Sequence, residues 1–385
     1  VAKSENGASL LEKGYPDLHN YTKSIIIPDN AKTSVNVLSY KYQDYENIFI
    51  APSKGNFSRD INPNDVPIQY NDAYKKDEFY PNSIANLGTP YILRDLRGQT
   101  VSVNPFQYNP FTKTLRVYTE VELEVVSNGI SSQNSIQRLG NTVKLSSNYD
   151  EIYKEQFLNY ENDNRFQYLV DQGNMLVISN DAFLSFMEPL VEWKNKKGIP
   201  TEMVGTSVTG TSSTAIKDYI VDYYNTNGLT FVLLVGDYAQ VTSPLYSGSA
   251  SDPSYGFISG NDVYAEVIIG RFSGSTPTHI QTQVQRTIEY EQRSSGDYFN
   301  NAAGFASNQG PGYGGMDDDE FSDFLWNTVL SQFTYDQFFS EYDGSGGSDQ
   351  GGINAINTGV GIINYTGHGS INSWGNGSSL NTTQI

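Results

Sequence analysis

The chain has 385 residues, a formal net charge of −19, no cysteine, 35 glycines and 28 tyrosines, and only 17% of its residues are charged. That length exceeds one ordinary core, so two or three domains are expected, while the absence of cysteine excludes disulfides and thiolate metal sites. No apolar run approaches the roughly 20 residues of a membrane span. The start, "VAKSENGASLLEKGYPDLHN", lacks the charged-then-apolar pattern of a signal peptide, so either none existed or it has been removed.

The composition suits a loop-rich, folded, extracellular type of chain. The acidity is uneven: residues 1–165 carry 17 Lys and Arg against 20 Asp and Glu, and residues 166–385 carry 7 against 23. The second part repels nucleic-acid phosphates and attracts cationic partners at long range. Solubility in a salty medium accounts for the same charge.

The first part reads as β. "KSIIIPDN", "TSVNVLSYKY" and "ENIFIAPS" are short strands, and "LRVYTEVELEVV" alternates strictly, with Leu115, Val117, Thr119, Val121, Leu123 and Val125 on one face. That alternation predicts a half-buried antiparallel strand, with "GQTVSVNPFQY" as its hairpin partner. A sandwich or barrel is expected over residues 1–126. From Ser127 a polar linker runs to Arg165, interrupted by a short helix in "SSNYDEIYKEQFLNY".

After Arg165 the pattern becomes βα. "NMLVIS" is a strand; a helix with Pro189 in its first turn ends at Gly198; "TSSTAIKDYIVDYYNTNG" is a second helix. "TFVLLVGD" is apolar throughout, as in a sheet covered on both faces, and "DVYAEVIIGR" is another strand. "TPTHIQTQVQRTIEYEQ" is a helix capped by Thr276 with Pro277 following. Then come strand "AAGFAS", a helix from about Asp319, strand "DQFFSEY", helix "GGINAIN" and strand "GVGIINY". This alternation predicts one open α/β sheet over residues 166–385, with reactive groups beyond the C-terminal strand ends.

Three strand ends then offer polar residues to one rim: Asp237 after "LLVG", Asn308 and Gln309 after "GFAS", and His368 in "NYTGHGS". An imidazole can take or give a proton at physiological pH, and a flanking glycine N–H can point at a developing oxyanion. A satisfied rim histidine beside a tight turn explains the residue equally well. His279, in the first turn of a helix, reads as a surface residue.

At "GLTFVLLVGD", "SDPSYGFISGNDVYAEVIIGRFSG", "QRTIEYEQ" and "NYTGHGSINSWG" the chain resembles the gingipain-type cysteine peptidases, family C25 of the caspase-like clan. Upstream, "LRDLRGQTVSVNPFQYNPFTKTLRVYTE" resembles the propeptide of that family. The resemblance implies a multidomain zymogen: a β-rich propeptide over 1–126, a linker or activation segment over 127–165 and a caspase-like α/β domain over 166–385, incomplete at its C-terminal end. It implies that His368 is the catalytic imidazole and that the Gly369 N–H is an oxyanion donor. The cysteine nucleophile is expected beyond Ile385, so this fragment alone is expected to be inactive. The position of the histidine-orienting acid is held here by Gln309, a neutral amide that can accept from the ring but cannot stabilise imidazolium as a carboxylate does.

In arginine-specific members an Asp near the following helix start lies at the base of the S1 pocket. Asp319 in "MDDDEF" matches that place, with Asp318 and Glu320 one residue away; helix capping or Ca²⁺ binding explains the same cluster. Arg165 is a candidate self-processing site, and Arg94 and Arg97 are candidates to plug the S1 pocket of the zymogen. The resemblance implies that no cofactor is required for catalysis. Structural Ca²⁺ could be held by Asp237, Asp252, Asp262, Glu266 or Asp317; an ion pair between Glu266 and Arg271 is the simpler role for two of these blocks. The implied partners are protein or peptide substrates, the chain's own propeptide as a latency-maintaining inhibitor, and the remaining segment that carries the cysteine. The implied location is secreted or cell-surface in a bacterium, with no nucleic acid and no transmembrane segment. Two other readings remain: an inactive scaffold or secretion-system component, and a β-domain adhesin fused to an α/β module.

Overall fold

In the computed structural model, which describes residues 7–57, 61–137, 142–160, 167–171, 173–293, 295–310, 312–370 and 372–384, the N-terminal part forms two antiparallel sheets. The first contains β1 (His19–Ile26), β3 (Ala85–Leu87), β4 (Tyr91–Leu93) and β5 (Leu96–Val103), with Ala8–Ser9 on the outer edge of β1. The second contains β2 (Ala31–Tyr45), β6 (Phe106–Asn109) and β7 (Thr114–Ile130). β5 is central to the first sheet, pairing with β1, β3 and β4.

Two expectations change here. The stretch "GQTVSVNPFQY" is divided between the sheets, and only Phe106–Asn109 pairs with β7, whose long partner is β2. The alternation in β7 also fails to mark its buried face. Tyr118, on the side that reads as polar, is the buried residue of the strand. Its hydroxyl donates to Gln107 Oε1 at 2.6 Å, and its ring meets Tyr40 and Tyr42 edge-on. A satisfied hydroxyl and aromatic neighbours outweigh the bare hydrophobicity pattern.

The stretch from Ser127 to Arg165 is more than a connector. β7 runs on to Ile130, and a parallel pair, β8 (Thr142–Ser146) and β9 (Gln167–Asp171), brackets the junction. The short helix expected there is α1 (Ser147–Gln156). Its Tyr149 and Tyr153, with Phe157 beyond, pack on Ile26, Tyr91, Leu93 and Leu96 and so close the core of the first sheet.

Beyond this junction the βα alternation is present, but it builds two parallel sheets rather than one. β10 (Met175–Ser179), β11 (Thr201–Gly205), β12 (Phe231–Val235) and β13 (Ile268–Phe272) are ordered β11-β10-β12-β13. β14 (Asn301–Ala306), β15 (Gln337–Tyr342) and β16 (Ile362–Thr366) are ordered β15-β14-β16. The apolar β10 and β12 are covered on both sides, as their continuous hydrophobicity requires. Leu176, Ile178, Val232 and Leu234 pack against Ile216 and Ile220 of α3 (Ser213–Asn227). Val177 and Val235 pack against Met187 and Leu190 of α2 (Leu184–Lys196) and Ile280 and Val284 of α4 (Pro277–Gln292). Pro189 is inside α2, not in its first turn. Of "DVYAEVIIGR" only Ile268 onward is strand, because Asp262 and Glu266 accept backbone N–H groups and hold the preceding loop in another course.

The three-stranded sheet is sandwiched between α5 (Asp318–Thr328), where Trp326 stacks on Phe338, and α6 (Asp349–Thr358), whose Ala355 joins Phe305 and Leu380 in a small core. Among the described residues no helix is long and apolar enough to cross a membrane.

Candidate active site

β16 delivers its chain to a tight hairpin. The Gly375 N–H donates to the His368 carbonyl at 2.7 Å, and the Ser370 N–H donates to the Ser373 carbonyl at 2.8 Å. Tyr365, the next-to-last residue of β16, fastens both ends. Its hydroxyl donates to the His368 carbonyl and accepts from the Gly375 N–H, while its ring stacks on Trp374 at 4.7 Å. The His368 N–H donates to Asn376 Oδ1 at 2.7 Å, and Asn376 Nδ2 donates to Asp343 Oδ2 at 2.7 Å. Asp343 also accepts from the Gly377 N–H at 2.8 Å. Gly377 has a φ of +65°, and a Cβ there would lie 2.4 Å from the Glu341 carbonyl oxygen, so only glycine fits.

Gly369 opposes Trp374 in an isolated bridge whose hydrogen bonds are made by the neighbouring residues, so its own N–H faces away from the hairpin partner. Among the described residues no acceptor takes that N–H. It lies next to the imidazole, where an oxyanion donor is useful.

The ring itself is held by Gln309. His368 Nε2 and Gln309 Oε1 are 2.8 Å apart. The pairing assigns the proton to Nε2 and leaves Nδ1 as the basic nitrogen. Gln309 is in turn tied to the start of α5. Its carbonyl accepts from the Asp318 N–H at 2.9 Å, and its N–H donates to Ser307 Oγ at 3.2 Å. Ser307 Oγ donates to Asp318 Oδ2 at 2.6 Å. Ser307 and Asp318 are both buried, so the loop after β14 is fixed from below.

The structure thus brings His368, Gly369 and Gln309 together and leaves Asp237 out. Asp237 follows β12 in the four-stranded sheet and accepts from the Tyr238 N–H and Ser273 Oγ. Asp343, Asn376, Tyr365 and Ser307 were not singled out from the sequence. Asp343 had a usable signal: it follows β15 directly, by the same strand-end rule that selected Gln309 and His368.

The acidic cluster divides by role. Asp318 is buried against Ser307 and acts as a brace. Asp317 and Glu320 form a capping box, the Glu320 carboxylate accepting the Asp317 N–H at 3.0 Å. Burial and the acids at 318–320 push the Asp317 carboxyl above its ordinary range. Asp319 is half-buried, and its carboxylate accepts only the adjacent Glu320 N–H among the bonds of the described residues.

Neither Arg94 nor Arg97 plugs this cluster. Arg94 Nη1 donates to the Leu229 carbonyl at 2.6 Å and to the Glu266 carbonyl at 2.8 Å. Arg97 is wholly buried within the N-terminal part and donates to the carbonyls of Pro28, Ala31, Gln133 and Asn134. Arg165 lies outside the described residues.

The calcium candidates stand in other bonds. Among the described residues no three His, Cys, Asp or Glu side chains gather as metal ligands. Asp252, not Glu266, pairs with Arg271, through Arg271 Nε and Nη2 at 2.7 Å each. Asp262 accepts the Ile92 N–H and the Asn134 amide.

Glu266 is 0% exposed and accepts the N–H groups of Ile258 at 2.7 Å and Ser259 at 2.9 Å. Burial outweighs those bonds and pushes its carboxyl up to about 7 from 4.5. The folded state therefore holds this proton more tightly than the unfolded chain. The resulting stability is full below pH 4.5 and is lost as pH rises through about 7. Urea unfolding at pH 5 and pH 8 is expected to show a loss on the order of 2–3 kcal/mol that Glu266→Gln abolishes. Parallel pH dependences in the two proteins would show that this carboxyl does not titrate abnormally.

The C25 propeptide pattern matches residues 2–166, and the pattern of peptidase family C25 matches residues 168–385. Gingipain R2 of Porphyromonas gingivalis is 37% identical over 391 residues, covering 98% of this chain and 52% of the relative. Lys-gingipain of the same organism is 27% identical over 411 residues, covering 97% of this chain and 22% of the relative. The chain thus spans about half the length of gingipain R2. A solved structure of the Arg-specific cysteine proteinase gingipain R matches with a TM-score of 0.51 and 34% identity, covering 55% of this chain and 51% of that one. With the two patterns meeting where the β-rich part passes into the parallel sheets, the chain belongs to peptidase family C25, a cysteine peptidase family, and carries the family's propeptide ahead of its peptidase region.

Proposed function

We propose that this chain is the propeptide and the N-terminal part of the peptidase region of a secreted or cell-surface endopeptidase that cleaves after a basic residue, Arg in preference to Lys. The supporting observation is the 2.8 Å pairing of His368 Nε2 with Gln309, which leaves Nδ1 as base beside the outward-facing N–H of Gly369. The nucleophile is a cysteine beyond Ile385. β16 is an edge strand of its sheet with Ile362 and Ile363 still exposed, and a further strand beside it would bring a thiol to the Nδ1 side of the ring.

His368 Nδ1 takes the thiol proton, and the thiolate sulfur bonds to the substrate carbonyl carbon. The carbonyl oxygen becomes an oxyanion opposite the Gly369 N–H. The imidazolium then gives its proton to the leaving nitrogen as the C–N bond breaks, and the same base activates the water that hydrolyses the thioester. Gln309 keeps the ring in the productive tautomer without adding negative charge. Asp319 is the S1 carboxylate, since Asp318 is engaged as a brace and Glu320 as a cap. The propeptide holds the enzyme latent until the connection containing Arg165 is cut.

The test is a peptide-library digest by the intact, propeptide-released protein. Cleavage after Arg and Lys is expected, with kcat/KM for Arg substrates lowered about 100-fold in Asp319→Asn. Cleavage after apolar residues would refute the specificity. A folded intact protein with no cysteine after residue 385 and no hydrolysis would instead establish an inactive scaffold.

A further inference from the structure

The contacts of Arg94 describe an arginine socket on the four-stranded sheet, whereas His368 and Gln309 stand on the three-stranded one. Arg94 and Asp95 form the two-residue turn between β4 and β5, and Arg94 holds the positive φ of 50° that such hairpin turns call for. The side chain crosses from the propeptide into the four-stranded sheet. Its two acceptors, the carbonyls of Leu229 and Glu266, precede β12 and β13. These strands are parallel, so the socket lies at their N-terminal ends. Gln309 and His368 follow the C-terminal ends of β14 and β16 in the other sheet.

The socket receives the guanidinium by one edge: Arg94 Nε has no hydrogen-bond partner among the described residues and stands 3.5 Å from Asp95 Oδ2. One nitrogen serves two backbone carbonyls, and the planar group lies between tyrosine rings, 4.7 Å from the centroid of Tyr149 in the propeptide and 5.7 Å from that of Tyr224 in the peptidase region. The backbone around it is matched as well. The Ile92 N–H donates to Asp262 Oδ2 at 2.9 Å, and Tyr91 stacks on Tyr264 with centroids 3.8 Å apart. Tyr149 donates to the Ala265 carbonyl at 2.9 Å. The guanidinium pairs with Asp95 within its own turn, Nε to Oδ2 at 3.5 Å, while its hydrogen bonds across the interface go to carbonyls, so the attachment depends on shape and hydrogen bonding more than on long-range charge.

We propose that this socket is the anchoring site of the propeptide on the peptidase region, separate from the catalytic cleft. It takes an arginine-tipped β-turn and keeps the two parts together after the connection between them is cut. The inference rests on the family's propeptide assignment and needs no peptidase activity.

The experiment uses the intact protein with a site for a sequence-specific protease placed between Tyr160 and Gln167. After cutting, the two pieces are followed by size-exclusion chromatography and by dissociation after dilution. The unsubstituted pieces are expected to co-elute. Arg94→Ala and Arg94→Lys are each expected to weaken association by about 30-fold or more, as for an arginine at the centre of an interface. Asp262→Ala, on the other side of the interface, tests the site without altering the propeptide. A small arginine amide directed at the catalytic cleft is expected to leave the pieces together. The proposal is overturned if the unsubstituted pieces separate on cutting. It is equally overturned if folded Arg94→Ala and Asp262→Ala pieces dissociate at the original rate, or if the arginine amide releases the propeptide.

Discussion

His368→Ala is expected to lower peptide hydrolysis by the intact, processed protein about 10⁴-fold or more, because it removes the group that both takes the thiol proton and protonates the leaving amine. The companion series at Gln309 separates positioning from chemistry. Gln309 Oε1 fixes the tautomer by accepting from Nε2 at 2.8 Å. Gln309→Leu keeps the bulk and removes the acceptor, so the ring can carry its proton on Nδ1, the wrong nitrogen. A fall in kcat of about 100-fold with KM little changed is expected, smaller than the loss of the base itself. Gln309→Glu restores an acceptor at the same place and adds a charge that stabilises the imidazolium, so activity at or above the original level is expected. If Gln309→Leu retains full kcat, Gln309 is a bystander and the ring is held by the hairpin alone. Hydrolysis that survives in His368→Ala would remove the central assignment.

Much of this arrangement was legible in the sequence because it rests on local rules. The apolar run Phe231–Val235 marks a strand covered on both faces, and Thr276 with Pro277 marks a helix start; both are where those rules place them. His368 could be selected because a glycine-flanked histidine at a strand end is chemically conspicuous, and Gln309 because the resemblance pointed to its place. What was not legible depends on contacts between distant parts. The sequence does not tell that β13 and β14 fail to pair, dividing one expected sheet into two. The acids at 317–320 look alike in a string. Only folding places Asp318 against Ser307 and leaves Asp319 half-buried at the helix start. Tyr118 reads as an outward residue until Gln107, Tyr40 and Tyr42 surround it. Arg94 and Arg97 share one short motif, "LRDLRG", yet one crosses to the peptidase region and the other turns inward. Arg94 stands in the β4–β5 turn and Arg97 in strand β5, a difference that the motif itself does not display.

That inward turn makes Arg97 the residue whose loss should cost the propeptide most. Its side chain is 0% exposed, and its donors reach four main-chain carbonyls: Asn134 at 2.8 Å, Pro28 at 2.9 Å, Ala31 at 2.8 Å and Gln133 at 3.0 Å. Burial lowers its pKa from the ordinary arginine value, and Asp29 opposes that shift. Arg97→Met fills most of the space but takes the guanidinium from four carbonyls, of which the Ala31 bond is fully buried, the other three are partly buried, and the Pro28 oxygen keeps the Ala31 N–H at 3.2 Å. Each unmade bond to a buried acceptor costs about 1–3 kcal/mol, and partial relaxation toward water reduces the sum, so a loss of about 3–5 kcal/mol is expected. Calorimetry of the intact protein should show the propeptide transition moved down by well over ten degrees, at about 4–8 °C per kcal/mol for a small domain. The effect should spread in one direction. Gln133 and Asn134 are held by Arg97, and Asn134 also accepts the Asn261 N–H at 2.9 Å and donates to Asp262 at 3.3 Å. Hydrogen exchange is therefore expected to rise first at residues 131–136 and then at 261–262, with the three-stranded sheet around His368 unaffected. Arg97→Lys, which keeps a cation and three donors but not the planar fork, should fall between the two. A shift of less than a degree or two in Arg97→Met would mean that water replaces the guanidinium at all four carbonyls. In that case Arg97 is not what ties the strand β5 to the loop that meets the peptidase region.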